Sequence, residues 1–147
     1  MFALVVMNRG YVYNLGFDHE AYALNVPLNL EKTDLRVSET DADIYRRVVQ
    51  LTASHLGDGR LVAGPDCPEV YFLTGQFSQS GSLFDFFSHD ISAEEGVSNI
   101  PAWNSASVIV LNHQPSFSLG LSQPLVVRIR ELFPNSATAG HFEVRWR

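Results

Sequence analysis

The run Leu61-Val62-Ala63-Gly64-Pro65-Asp66-Cys67-Pro68-Glu69-Val70-Tyr71-Phe72-Leu73-Thr74-Gly75 leaves this chain few ways to fold. Leu61-Val62-Ala63 is apolar and follows the turn signal Asp58-Gly59, so it reads as a short buried strand. Gly64-Pro65 ends it, because proline has no N–H for a sheet ladder and glycine accepts φ > 0. Asp66 then suits a helix N-cap, with Glu69 three residues on as a capping-box partner. Pro68 fits the first helical turn, where a missing N–H costs nothing. Val70, Phe72 and Leu73 offer apolar surface, and Gly75 supplies the C′ stop. The segment therefore predicts strand, tight loop and helix with almost no spare residues.

Composition sets the outer bounds. At 147 residues the chain is expected to form one domain, residues 1–147. A chain of roughly 150 residues buries about 70% of its unfolded surface and needs no disulfide or metal to hold it. Cys67 is the sole cysteine, so no intrachain disulfide can form. With a net charge of −6 and no basic cluster, the chain lacks the face a duplex nucleic-acid binder presents. No run approaches the roughly 20 apolar residues of a membrane span. Phe2 to Met7 is short and has no basic flank, so it reads as a strand rather than a signal peptide.

Taken in order, residues 2–15 predict a hairpin across Asn8-Arg9-Gly10. Asp18-His19-Glu20 are adjacent rather than spaced at i and i+3 or i+4, so they read as a solvated turn and not a metal site. Pro27 and the Asn-Leu alternation suggest an extended crossing. Residues 41–56 carry the clearest helical pattern. Thr40 or Asp41 caps it, Ile44, Val48 and Leu51 form its stripe, and Tyr45, Val49 and Leu56 widen that stripe. Arg46, Arg47 and Gln50 face away, and Gly57 closes the helix. His55 sits in the last turn, where positive charge is favourable. Leu83-Phe84-Asp85-Phe86-Phe87 reads as core packing, and residues 88–104 as a long loop. Ser107 to Leu111 is a continuous apolar run, as a strand buried on both faces requires. Residues 122–133 predict the last helix, with Ser122 as cap and Pro134-Asn135 as terminator. His141 to Arg147 alternates strictly. Phe142, Val144 and Trp146 point one way and Glu143, Arg145 and Arg147 the other, the pattern of a half-exposed edge strand guarded by charge.

This order implies an α/β fold: a small, mainly parallel, three-layer (Rossmann-like) sheet with an antiparallel edge or an N-terminal hairpin. Ligands in such sheets bind beyond the carboxyl ends of the parallel strands. Two loops leave from those ends, one with Asp66 and Cys67, the other with Asn112 and His113. These four are the candidate ligand-binding cleft. A cysteine at a helix start with a histidine near it can form a nucleophile pair, which makes a free-standing small-molecule enzyme one reading. Against it stands a small buried thiol and a polar loop histidine. Gly-x-Gly-x-x-Gly, the P-loop, Gly-x-Ser-x-Gly, His-Glu-x-x-His and paired cysteines are all missing. No cofactor and no metal are therefore expected.

The segment Pro65 to Gly75 resembles the C-terminal soluble region of bacterial multi-span membrane proteins of glycosyltransferase-like type. These are related to the dolichyl- or polyprenyl-phosphate-mannose-dependent mannosyltransferases. Phe84-Asp85-Phe86-Phe87, Pro115-Ser116-Phe117-Ser118 and Phe142-Glu143-Val144-Arg145-Trp146-Arg147 extend the resemblance, which spans roughly residues 10 to 147. The loop Gln76-Phe77-Ser78-Gln79-Ser80 departs from it, where an Asn-Pro-Thr-like turn is expected, as do residues 88–104. The resemblance implies an extracytoplasmic (periplasmic) module at the bacterial inner membrane, following the last span of a larger protein. Its partners would be its own transmembrane region and a glycan or lipid-linked sugar acceptor. Catalytic carboxylates in that family lie in the membrane portion, so no catalytic residue is carried over to this chain. A purely structural module is the third reading.

Overall fold

A computed structural model describes residues 26–30, 34–78, 105–118 and 120–147. The chain divides into two compact units, residues 1–46 and 47–147. Within the first, strands β1 (Val26–Pro27) and β2 (Arg36–Val37) pair antiparallel, Val26 opposite Val37. Helix α1 (Glu39–Leu56) begins in this unit and continues into the second. Ser38 caps it, not Thr40 or Asp41. The Asp41 amide donates to the Ser38 hydroxyl at 3.1 Å, and that hydroxyl donates to the Asp41 carboxylate at 2.7 Å. The serine thus satisfies one free amide of the first turn, and the Asp41 carboxylate holds its hydroxyl in place. Arg46 does not face away. Its guanidinium donates to the carbonyls of Leu28 at 3.1 Å and Pro27 at 2.7 Å, tying helix to strand.

The second unit is built on one sheet. Strands β3 (Arg60–Gly64), β4 (Ala106–Asn112), β5 (Asn135–Ala139) and β6 (Phe142–Trp146) lie in the order β3-β4-β6-β5. Only β3 and β4 run parallel, with Val62 opposite Ile109, while β6 is antiparallel to both β4 and β5. The sheet is thus mixed rather than mainly parallel. Leu61, Val62, Ala63 and the run Val108 to Leu111 are buried, as apolar sequence on both faces dictates. Helix α3 (Gln123–Leu132) comes after the loop that leaves β4. Leu125, Ile129 and Phe133 pack with Val62, Ile109 and Leu111 in one cluster. The carboxyl-terminal part of α1 buries Val48, Leu51, Thr52 and Leu56, and its His55 stacks on Trp146 with ring centroids 3.7 Å apart.

Two elements differ from expectation. The C-terminal strand β6 is interior, not an edge, and its Glu143 and Arg145 are each only 6% exposed. The edge is β5, which comes directly after α3 and joins β6 through Gly140-His141, with Gly140 at φ +58°. Its composition, Asn-Ser-Ala-Thr-Ala, has one β-branched residue, Thr138, and no aromatic, far from the density that marks a strand. Pairing to β6 supplies what local propensity does not. The expected N-terminal hairpin, the Asp18-His19-Glu20 turn, the Phe84-Asp85-Phe86-Phe87 cluster and the 88–104 loop all lie outside the described residues.

Candidate functional site

Helix α2 (Pro68–Thr74) leaves the end of β3 after a short link. Pro68 opens it and Gly75, at φ +68°, closes it, its amide reaching the carbonyls of Phe72 and Tyr71. Pro68 and Gly75 thus stand where the sequence signals put them. The buried face differs from the expected one: Val70, Tyr71 and Leu73 turn inward, while Phe72 is 57% exposed. Tyr71 has a specific task, since its hydroxyl accepts the Ala63 amide of β3 at 2.8 Å. A phenylalanine could fill that space but would leave a buried amide without a partner.

Asp66 is not the cap of α2. That position belongs to Cys67, which makes no side-chain capping bond. The Gly64–Pro65 peptide is cis, and the backbone of Asp66 sits at φ +50°, a left-handed conformation that Asp tolerates better than most residues. Its carboxylate reaches across to the loop after β4. There it accepts the amides of Phe117 and Ser118, each at 2.6 Å, and the Ser118 hydroxyl at 2.5 Å. Burial alone would push this carboxyl up. The hydroxyl and amide of Ser118, with the amides of Phe117 and Ser116, outweigh burial and hold it below the usual aspartate value.

Asn112 ends β4. Its side-chain oxygen accepts the Gln114 amide at 2.8 Å, which forms the turn, and its amide nitrogen lies 3.5 Å from the Asp66 carbonyl. The two carboxyl-end loops therefore meet, through Asp66 and Asn112, as parallel neighbours should. His113 goes elsewhere. Its Nε2 lies 2.8 Å from Glu143 Oε2, and its backbone amide donates to the His141 carbonyl at 3.0 Å. Glu143 also pairs with Arg145, whose guanidinium donates to the Phe133 carbonyl at 2.8 Å and reaches the Pro134 carbonyl. Burial raises the Glu143 carboxyl, but His113 and Arg145 outweigh it and hold the group below the usual glutamate value.

Cys67 has no exposed surface. Burial pushes its thiol well above the ordinary value, and the charges of Glu69 and Asp66 push it further. A thiol in that setting is protonated near neutral pH and cannot act as a ready nucleophile. Burial likewise raises the Glu69 carboxyl above its usual value. No three or more His, Cys, Asp or Glu side chains cluster as metal ligands among the described residues. Of the four expected cleft residues the structure joins Asp66 and Asn112, while the sequence reading did not include Ser118 and Glu143. The only signal for Ser118 was its place in Pro-Ser-Phe-Ser after a strand end. Glu143 was hidden by an alternation that elsewhere marks a solvated face. Among the described residues no helix is long and apolar enough to cross a membrane. No family model, curated protein or solved structure matches the chain.

Proposed function

We propose that this chain is an accessory, extracytoplasmic domain of a membrane-bound glycosyltransferase-like protein. It binds or positions an acceptor, or the protein's own transmembrane region, and carries no catalytic residue of its own. One observation favours a binding surface over a reaction centre. Asp66 and Asn112 spend their side-chain polar atoms on other parts of the chain, His113 commits its Nε2 to Glu143, and Cys67 is sealed. Groups committed in this way hold loops in place. Phe117, whose amide is held by Asp66, and Phe72 on α2 are exposed, at 72% and 57%, and carry apolar rings of the kind that rest against sugar faces or lipid. The fold belongs to the same reading: a small three-layer, Rossmann-like sheet, supported by the parallel β3–β4 pair and by α3 packed against it.

Titration of the isotope-labelled chain with soluble mannosides, and separately with nanodiscs bearing a polyprenyl phosphate, tests the proposal. The expected result is a set of shifted amides confined to residues 66–77 and 112–118, with no sugar transfer by the isolated chain. Absence of shifts in both titrations would remove the acceptor role. Iodoacetamide should label Cys67 only after denaturation. Fast labelling of the folded chain, altered by His113→Ala, would instead restore the enzyme reading.

A further inference from the structure

The imidazole of His113 is held at one nitrogen. Its Nε2 lies 2.8 Å from Glu143 Oε2, and among the described residues its Nδ1 has no partner. Glu143 is fixed in its turn. Its side chain is 8% exposed, its Oε1 takes the Arg145 guanidinium, and that guanidinium also donates to the Phe133 carbonyl at 2.8 Å. The carboxyl is held below the usual glutamate value, so near neutral pH it is ionised and can only accept. Nε2 must therefore carry the proton. In the neutral ring this leaves Nδ1 with a lone pair and no hydrogen, because the bond made by one ring nitrogen sets the state of the other. The carboxylate is buried, but the histidine is not: its side chain is 43% exposed.

We propose that His113 Nδ1 accepts a hydroxyl of a neutral sugar, with the Phe117 ring against the sugar's apolar face and Glu143 as the positioning residue behind the imidazole. The inference rests on the acceptor-binding reading above and names the group that is recognised. Position supports it. His113 directly follows Asn112, the carboxyl end of β4 in the parallel β3–β4 pair, which is where such sheets bind ligands. Phe117 is exposed, and its amide is fixed by the Asp66 carboxylate at 2.6 Å. Four residues of chain span at most about 14 Å, so Phe117 and His113 lie within reach of one short glycan. Chemistry disfavours the other ligands. An anion needs a donor, whereas the neutral ring offers an acceptor in a chain of net charge −6. A metal ion needs more than one nitrogen, and no cluster of three ligands exists among the described residues. A hydroxyl carries the hydrogen that Nδ1 lacks.

Proton–nitrogen correlation spectra of the isotope-labelled chain in mildly alkaline buffer read the tautomer directly, with His113→Gln identifying the signals. Nδ1 should resonate as an unprotonated nitrogen and Nε2 as a protonated one. The opposite tautomer, or an even mixture, overturns the proposal. Methyl mannoside should then move the Nδ1 resonance. His113→Gln retains a donor for Glu143 but has no acceptor at the Nδ1 position, so it should weaken mannoside binding about three- to tenfold. In Glu143→Gln the neutral amide can donate or accept, so the His113 tautomer should become mixed, a change that a merely structural role would not produce. Mannoside binding that leaves Nδ1 unmoved and is unchanged in His113→Gln overturns this inference and leaves the accessory-domain reading standing. So does binding confined to the polyprenyl phosphate nanodiscs and competed away by inorganic phosphate. Absence of binding in both titrations overturns this inference and the acceptor role together.

Discussion

At the residue scale, two positions have consequences that can be put as numbers. Gly59 ends the turn between α1 and β3. A Cβ built there would lie 1.9 Å from Ser107 Oγ, 2.5 Å from Ser107 Cβ and 2.8 Å from the Leu56 carbonyl oxygen. The serine hydroxyl can rotate, but its Cβ and the carbonyl cannot yield cheaply. Gly59→Ala should therefore cost about 1–3 kcal/mol in urea unfolding, with an unchanged slope. A cost near zero would mean the turn shifts freely and that β3 is not fixed by it. Thr52 poses the opposite case. It is fully buried on α1, and among the described residues its hydroxyl has no hydrogen-bond partner. Thr52→Val keeps the branched shape and removes the stranded polar atom, so it should raise stability by about 1 kcal/mol. A loss instead would reveal a partner for that hydroxyl.

At the element scale, the informative strand is β6. Glu143 and Arg145 sit inside the sheet with side chains only 8% and 7% exposed, joined to each other, to His113 and to the carbonyls that end α3. Removing Arg145 leaves the buried Glu143 carboxylate with His113 as its remaining side-chain partner. Arg145→Met should cost about 3–5 kcal/mol by equilibrium unfolding, whereas Glu143→Leu with Arg145→Met together should recover much of that loss. If the double variant were no better than the single, the penalty would lie in the lost α3 carbonyl bonds and not in the orphaned carboxylate. This strand also shows where sequence stopped being legible. Alternation correctly marked residues 142–146 as extended, but it reports only that two faces differ. Whether the polar face meets water or a helix end depends on which element packs against it. The same holds for β5, whose five small residues give no periodic signal at all. By contrast Pro68, Gly75 and the 107–111 run were readable, because each acts through its own backbone or a continuous apolar stretch. The loops carrying Asp66 and Asn112 could be placed together only on the condition that β3 and β4 are neighbours, an order that no local pattern fixes. The partners Ser118 and Glu143 could not, since each lies in another element at a distance that no local pattern encodes.

At the scale of the whole molecule, the contact that governs the carboxyl end of the sheet is Asp66 on the 116–118 loop, with partners 51 and 52 positions away in sequence. Such a contact closes a long loop and gives the fold a pH dependence. Asp66 and Glu143 are both held below their ordinary values. In acid the unfolded chain takes up their protons first, so the stability they confer is complete above the ordinary carboxylate range of about 4 and drains away as pH falls through their lowered values. Glu69, raised by burial, works the other way: its contribution is present below the ordinary glutamate value and is lost as pH rises through its raised one. The acid limb of stability should therefore be carried by Asp66 and Glu143 together, opposed by Glu69. Asp66→Asn isolates the first. Asparagine accepts the left-handed backbone at φ +50°, so the substitution removes charge without adding strain. Urea unfolding from pH 7 to pH 3 should show the Asn variant less stable by about 0.5–1.5 kcal/mol at pH 7, solvent screening keeping the figure small, with the two curves converging toward acid. Parallel curves would mean that the loop is held by its backbone alone and that the carboxylate is incidental. Convergence would identify one charge as the group that fixes the two carboxyl-end loops to each other.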